Sequence, residues 1–234
     1  MIRVWRGVGI RYARGKQGMK LLSINVGLPR EIEWSGKIVR TSIFKEPTSG
    51  RVRVSKLNVE GDQQSDLSVH GGPDKAVYAY PSEHFPFWQT TFPATDLASG
   101  VFGENFTTEG LFEENVRIGD RLRIGSAEFM ITQPRMPCFK LGIRFNRPDM
   151  VKRFLQSGRT GFYFAVLKEG EVAAGDSIEL LEKDEHNILV ADVVNLYRGD
   201  AVNQDLMHRV SELPSLPESW REYFRKRLWN PDTR

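Results

Sequence analysis

Between Leu21 and Leu181 the chain is a succession of short β-type runs broken by glycine, proline, asparagine and aspartate, with no regular series of helices between them. This pattern restricts the fold more than any other feature. Strands joined through tight turns pair as antiparallel or mixed sheets, whereas a βαβ fold requires a crossover of about a dozen residues or more between strands. The runs are Leu21–Val26, Ile38–Phe44, Arg51–Val59, Ala76–Tyr80, Asn105–Thr108, Arg121–Ile124, Glu128–Thr132, Phe162–Leu167 and Ser177–Leu181. Glu46-Pro-Thr-Ser-Gly50, Ile118-Gly-Asp120, Gly125-Ser126 and Ala174-Gly-Asp176 read as the turns that part several of them. A mainly β architecture follows, an antiparallel or mixed barrel with a few short helices.

Two of those helices are expected at Pro81–Trp88, where Pro86 limits the length to a turn or two, and at Arg147–Leu155, where Pro148 suits the first turn. A third, running to Arg144, is open at Cys138. Beyond His186 the spacing of apolar residues becomes helical, with Leu189, Val193, Leu196 and Tyr197, then Val202, Leu206 and Val210, then Trp220, Tyr223, Phe224 and Leu228. Gly199 and Leu213-Pro-Ser-Leu-Pro217 tie these into three short helices. The chain thus divides into a basic leader at 1–18, a β-barrel domain at 19–183 and a three-helix C-terminal domain at 184–234.

Charge has to be resolved by region before it is used. The net charge is +3, but Arg3, Arg6, Arg11, Arg14, Lys16 and Lys20 lie in the first twenty residues with no acid among them. Without those six, 27 basic side chains face 30 acidic ones, so the remainder is mildly acidic and no specific nucleic-acid binding is expected. The leader lacks the apolar core of a secretory signal and is poor in serine for a transit peptide, so it reads as a poorly ordered, dispensable extension or an upstream start. No run approaches the roughly 18 apolar residues of a membrane span, and a single cysteine suits a reducing compartment, so a soluble cytoplasmic protein is expected.

That cysteine stands in Gln133-Pro-Arg-Met-Pro-Cys-Phe-Lys-Leu-Gly-Ile-Arg144, with Arg135, Lys140 and Arg144 around it. A lone cysteine is often a buried structural thiol, yet neighbouring cations favour the thiolate, which is the nucleophile and the soft-metal ligand. Pro134 and Pro137 end the preceding strand, which places Cys138 at a strand exit. A second stretch, Val69-His-Gly-Gly-Pro-Asp-Lys75, precedes a strand. Alone it is an ordinary turn, but Gly71 and Gly72 let backbone N–H groups approach an anion and Lys75 adds charge. It lacks the spacing of a P-loop. His70 stands apart from His84, His186 and His208, and no His-x-x-x-His or Cys-x-x-Cys pair supports a zinc site. Gly103-Glu-Asn105 reads as a turn or cap that also offers a carboxylate and an amide, and Ser157-Gly-Arg-Thr-Gly161 is a further glycine-rich turn carrying Arg159.

Three stretches together, His70-Gly-Gly-Pro-Asp-Lys75-Ala-Val-Tyr-Ala-Tyr80, Phe102-Gly-Glu-Asn-Phe-Thr107 and Pro134-Arg-Met-Pro-Cys138-Phe-Lys140, resemble the MOSC domain family in order and spacing. The family is named for the C-terminal domain of molybdenum cofactor sulfurase, and the likeness is to its YiiM-like subfamily, covering about Met19 to the C-terminus. The resemblance implies a MOSC-type β-barrel followed by a small three-helix domain, and a molybdenum cofactor in molybdopterin form. Cys138 would be the catalytic metal ligand. Arg135 and Lys140 would neutralise the anionic cofactor, and the His70–Lys75 loop would hold its phosphate or pterin. Asn105 would read the pterin edge, with Arg159 close by. The dithiolene brings two sulfurs of its own, so one soft protein thiolate suffices. Members of this kind reduce N-hydroxylated compounds, including hydroxylamino purines, to amines. The sequence has no flavin fingerprint, haem motif or iron–sulfur cysteines, so electrons are expected from an external donor protein, a flavoprotein. Self-association as a homodimer is left open. Two other classes stay open as well. One is a carrier of the cofactor, or of sulfur as a persulfide on Cys138; the other is a scaffold whose three C-terminal helices bind a partner or nucleic acid through Arg221, Arg225, Lys226 and Arg227, a cluster that is more often a solvated helix face.

Overall fold

Alternation of apolar and polar side chains produces strands whose inner faces share one core. The computed structural model describes residues 18–65, 71–199 and 203–229. Twelve strands occur among these residues: β1 (Lys20–Val26), β2 (Arg30–Trp34), β3 (Lys37–Thr41), β4 (Glu46–Thr48), β5 (Arg51–Val54), β6 (Val77–Pro81), β7 (Phe106–Glu109), β8 (Arg121–Ile124), β9 (Ala127–Pro134), β10 (Phe162–Lys168), β11 (Gly170–Ala173) and β12 (Ile178–Glu182). The helices are α1 (Phe85–Thr91), α2 (Phe139–Phe145), α3 (Met150–Ser157), α4 (Val190–Arg198), α5 (Gln204–Ser211) and α6 (Glu218–Trp229). The expected runs match β1, β3, β5 to β10 and β12. Strands β2, β4 and β11 are additional, and Glu46–Thr48, read as part of a turn, pairs with β1 instead. β5 stops at Val54 because the chain turns back there, with Ser55 N–H bonded to the Asn58 carbonyl.

Eight strands form one mixed sheet in the order β12-β8-β9-β10-β6-β7-β1-β4, and only β6 and β7 run parallel in it. The barrel expected from the sequence is not closed by a continuous ladder. β7 takes one edge of β1 and β4 takes the other from Ile24 onward, which leaves only the first residues of β1 to meet the far end of the sheet. They do so through Leu21 N–H to the Asp176 carbonyl (3.0 Å) and Ile178 N–H to the Met19 carbonyl (2.8 Å). The separate β5–β11 ribbon puts Val52, Val54 and Val172 into the same core.

Helices α4 to α6 extend this core instead of forming one of their own, since Val190, Val193, Val210, Trp220 and Phe224 belong to the cluster built by Phe129, Ile131 and Phe164 of the sheet. The Trp220 indole N–H donates to Gln133 Oε1 (2.7 Å), and Gln133 Nε2 and Thr132 Oγ1 both donate to the carbonyl of Asp74 (3.3 and 2.7 Å). The last helix is thus linked through β9 to the turn that carries Lys75. A second cluster, mostly aromatic, fills the space between the sheet and helices α1 to α3 with Tyr80, Trp88, Phe102, Phe145 and Phe154. Pro86 is tolerated because it falls in the first turn of α1.

Candidate functional site

Register across the sheet brings the chemical residues to one level. Tyr163 of β10 pairs with Tyr78 of β6 on one side and Gln133 of β9 on the other. Asn105 follows as the residue before β7, its N–H bonded to the Tyr78 carbonyl (2.8 Å). The exit of β9 therefore delivers Arg135 and Cys138 to the place where β6 begins and β7 is entered. A cleft of about 650 Å³, counting its solvent-facing mouth, opens there. Of the residues singled out in the sequence, Gly71, Lys75, Asn105, Arg135, Cys138 and Lys140 line it. Gly72 adjoins Gly71 but is not in the lining, and His70 lies outside the described residues.

Arg159 is not in the lining either. Its guanidinium lies 4.1 Å from the centre of the Phe87 ring, and Nη1 donates to the Ser157 carbonyl, so the structure turns it toward α1 instead of the cleft. Arg144, read as a neighbour of Cys138, faces the Phe44 ring at 5.1 Å. Asn105 lines the cleft but spends its amide on the protein. Its oxygen accepts from Tyr78 N–H (3.2 Å), and Nδ2 donates to Asp62 Oδ2 (2.9 Å) and to the Asn25 carbonyl (3.3 Å). In the described structure this side chain positions Asp62.

Arg135 is the centre of the cleft's electrostatics. It is 5 % exposed, its guanidinium sits 5.2 Å from the centre of the Tyr78 ring and 5.1 Å from that of Phe154, and no carboxylate among the described residues pairs with it. Nη1 is buried with no hydrogen-bond partner. Desolvation works against the charge, but Tyr78, Tyr163 and Cys138 outweigh it and hold the arginine more firmly protonated than usual. Lys140 Nζ bonds Ser65 Oγ (3.0 Å), and partial burial lowers the proton affinity of Lys75 against the pull of Asp74. A buried guanidinium with an unused N–H is costly unless an anion completes its shell.

The sequence reading missed a second wall. Thr41, Ser42 and Lys45, together with Asp62 from the loop after β5 and with Tyr78 and Tyr163, also line the cleft. The only local signal was a lysine directly after Ile43-Phe44, a charge set in an apolar run. Lys45 and Asp62 form a buried ion pair, and desolvation lowers the lysine's proton affinity despite the attraction of Asp62. Gly103 bounds the same wall with φ of 78°, and a Cβ there would meet Ile43 Cγ1 at 2.9 Å, so only glycine fits.

Behind the wall Glu104 is fully buried and accepts from Gly100 N–H (2.6 Å), Phe102 N–H (3.0 Å) and Thr107 Oγ1 (3.1 Å). Burial outweighs these bonds and pushes its carboxyl up from 4.5 to about 7. A carboxyl raised on folding binds its proton more tightly in the native state. The associated stability is on the order of 3 kcal/mol, present below about pH 4.5 and lost as pH rises through about 7. Glu104→Gln is expected to flatten the decline in melting temperature between pH 5 and 8. Parallel curves for the two proteins would show that Glu104 does not titrate in that window.

Comparison with known proteins accounts for this assembly. A MOSC domain model matches residues 66–179, and a YiiM-like 3-alpha helix domain model matches residues 190–229. The chain belongs to the MOSC domain family. Within it the chain is YiiM-like, as the helical-domain model and the superposed YiiM structure show. It is 45% identical over 207 residues to YflK of Bacillus subtilis (strain 168), covering 88% of this chain and 93% of that one. It is 36% identical over 197 residues to a protein named "Reductase" from Gibberella moniliformis (strain M3125 / FGSC 7600), covering 83% of this chain and 35% of that protein. The crystal structure of YiiM from Geobacillus stearothermophilus superposes with a TM-score of 0.76 at 37% identity, covering 90% of this chain and 99% of that one. No helix among the described residues is long and apolar enough to cross a membrane.

Proposed function

We propose that the cleft holds a molybdenum pterin and that the protein reduces N-hydroxylated compounds, such as hydroxylamino purines, to amines with electrons from a separate redox protein. The observation that carries the reading is the buried, carboxylate-free guanidinium of Arg135 with its partnerless Nη1, in the same cleft as the chain's only cysteine. The donor set fits such a group. Among the described residues no cluster of three or more His, Cys, Asp or Glu is placed to hold a metal, so a metal here would arrive with most of its ligands and need little more than the Cys138 thiolate. Arg135, Lys75 and Lys140 supply positive charge for a phosphate-bearing anion. When bound, a molybdenum pterin supplies two-electron redox chemistry. Family membership and the reductase-named relative support the choice of a reduction.

The test is molybdenum and pterin per chain in variants made side by side in a host that makes the cofactor. A charge-assisted hydrogen bond contributes about 1.5–3 kcal/mol, so Arg135→Ala should weaken retention by roughly 10- to 100-fold. Lysine at 135 should rescue only in part, since it keeps the charge but loses the planar fork. Arg225→Ala is the control, because Arg225 lies on α6 and pairs with Glu212 and Glu218 at the surface. If Arg225→Ala strips the cofactor while Arg135→Ala retains it, the cleft is not the site. Retention without turnover of any N-hydroxylated base would point to a carrier.

A further inference from the structure

Arg135 Nη1 is not alone in the cleft lining, because the hydroxyl of Ser42 is also buried and without a partner. Ser42 is 8 % exposed and sits on the same short segment as Lys45, which is 7 % exposed. Lys45 Nζ is held by Asp62 Oδ1, and that carboxylate also accepts from Gly27 N–H (2.8 Å) and Asn105 Nδ2 (2.9 Å). Three segments thus clamp Asp62, while the lysine ends a flexible stem whose rotatable ammonium can serve a second acceptor. None of this is needed to hold a phosphate. It suits a group that bears oxygen and must take up a proton.

The reduction proposed above has that need. In R–NH–OH + 2e⁻ + 2H⁺ → R–NH₂ + H₂O the N–O bond breaks, the nitrogen keeps the electron pair and takes one proton, and the oxygen leaves as water only if it receives the other. At the inner wall of the cleft, where Ser42 and Lys45 are buried, a positioned side chain is the direct source of the second proton. Arginine does not release a proton near neutrality, burial raises the proton affinity of Tyr78 and Tyr163, Lys140 is bonded to Ser65, and Lys75 is only partly buried, beside Asp74 and away from the Ser42 segment in sequence. Lys45 combines a releasable proton, burial and a fixed carboxylate, and the unused hydroxyl of Ser42 lines the same cleft. We propose that Ser42 and Lys45 form the oxygen subsite of the cleft, Ser42 donating a hydrogen bond to the substrate's hydroxyl oxygen and Lys45 giving the proton with which that oxygen leaves as water. The inference rests on the reductase reading. The charged groups that face Lys45 are Asp62 and Glu104, both of which favour its protonated form, whereas desolvation favours the neutral amine that remains after transfer.

The experiment compares wild type, Lys45→Arg and Ser42→Ala, each assayed for molybdenum content, for turnover of 6-hydroxylaminopurine across pH, and by ¹⁵N NMR of the lysine side chains with the base added and no reductant. Lys45→Arg keeps the charge but cannot release a proton, so it should retain molybdenum, lose about 100-fold in kcat and lose the alkaline limb of the wild-type pH profile. Ser42→Ala should raise KM about tenfold with kcat nearly unchanged, the signature of a lost binding contact of about 1.4 kcal/mol. In the wild type, the base should shift the Lys45 Nζ resonance. Wild-type kcat and pH profile in Lys45→Arg would overturn the proposal, and so would loss of molybdenum from that variant, which would make Lys45 an anchor of the cofactor. A wild type that carries molybdenum but shows no Nζ shift would overturn it too. Wild type purified without molybdenum or turnover would instead sink the reductase reading, and this inference with it.

Discussion

Cys138→Ser is expected to leave a folded protein that no longer retains molybdenum or turns over an N-hydroxylated base. Cys138 is the N-cap of α2, with extended backbone (φ −114°, ψ 169°) and no side-chain capping bond, and its carbonyl accepts from Leu141 N–H at 3.0 Å. Serine is a preferred residue at that position and close in size, so the melting temperature should hold or rise, by at most about 1 kcal/mol of added stability. A hydroxyl is a hard, poor substitute for a thiolate toward a soft metal. Loss of an outer-shell partner typically costs about 10–100-fold in metal affinity, so loss of the ligand itself should exceed that range. Metal analysis, a melting curve and single-turnover assays on one preparation separate these effects. Full reductase activity in the serine variant would end the assignment of Cys138 as ligand.

The largest expected effect on stability comes from Asp62→Ala. One carboxylate there satisfies Gly27 N–H, Asn105 Nδ2 and the ammonium of Lys45, and its side chain is 1% exposed. Removing it leaves a buried lysine without its counter-ion and two donors without acceptors, a loss of about 3–5 kcal/mol. For a chain of this length each kcal/mol moves the melting temperature by about 2–4 °C, so a fall on the order of 10 °C is expected. Double substitution of Lys45→Met with Asp62→Leu should recover much of that loss, because no charge is then left uncompensated. A melting temperature within about 2 °C of wild type for Asp62→Ala would show that water reaches Lys45 and solvates it.

Much of this architecture could be read from residue order. Short β-type runs bounded by turn residues marked nine of the twelve strands among the described residues. Helical spacing marked α4 to α6, and Val193, Val210, Trp220 and Phe224 are buried as it requires. The strands it missed have local reasons. β4 carries Glu46 and Pro47, which read as a turn, and becomes a strand only because β1 offers it a free edge. β11 begins at Gly170 and is held by pairing with β5, more than a hundred residues earlier in the chain. Such pairing leaves no local trace.

The candidate site divides in the same way. Motif and charge singled out Cys138, Arg135, Lys140, Lys75 and Gly71, because glycine turns and cations beside a lone thiol are properties of neighbours in sequence, and all five line the cleft. Whether a polar side chain serves the cleft depends on where it finds partners. Arg159 found Phe87 and the Ser157 carbonyl, and Asn105 found Tyr78, Asp62 and Asn25. The wall of Ser42, Lys45 and Asp62 left little local trace, for a lysine and an aspartate 17 positions apart become a buried pair only when Gly27 after β1, Asn105 before β7 and the loop after β5 converge. The sequence by itself determined the order of elements and the chemical groups available, through periodicity and turn chemistry. The tertiary structure alone decided which charges are desolvated together and which buried polar atoms are left for a ligand, because burial and pairing are properties of the assembled sheet.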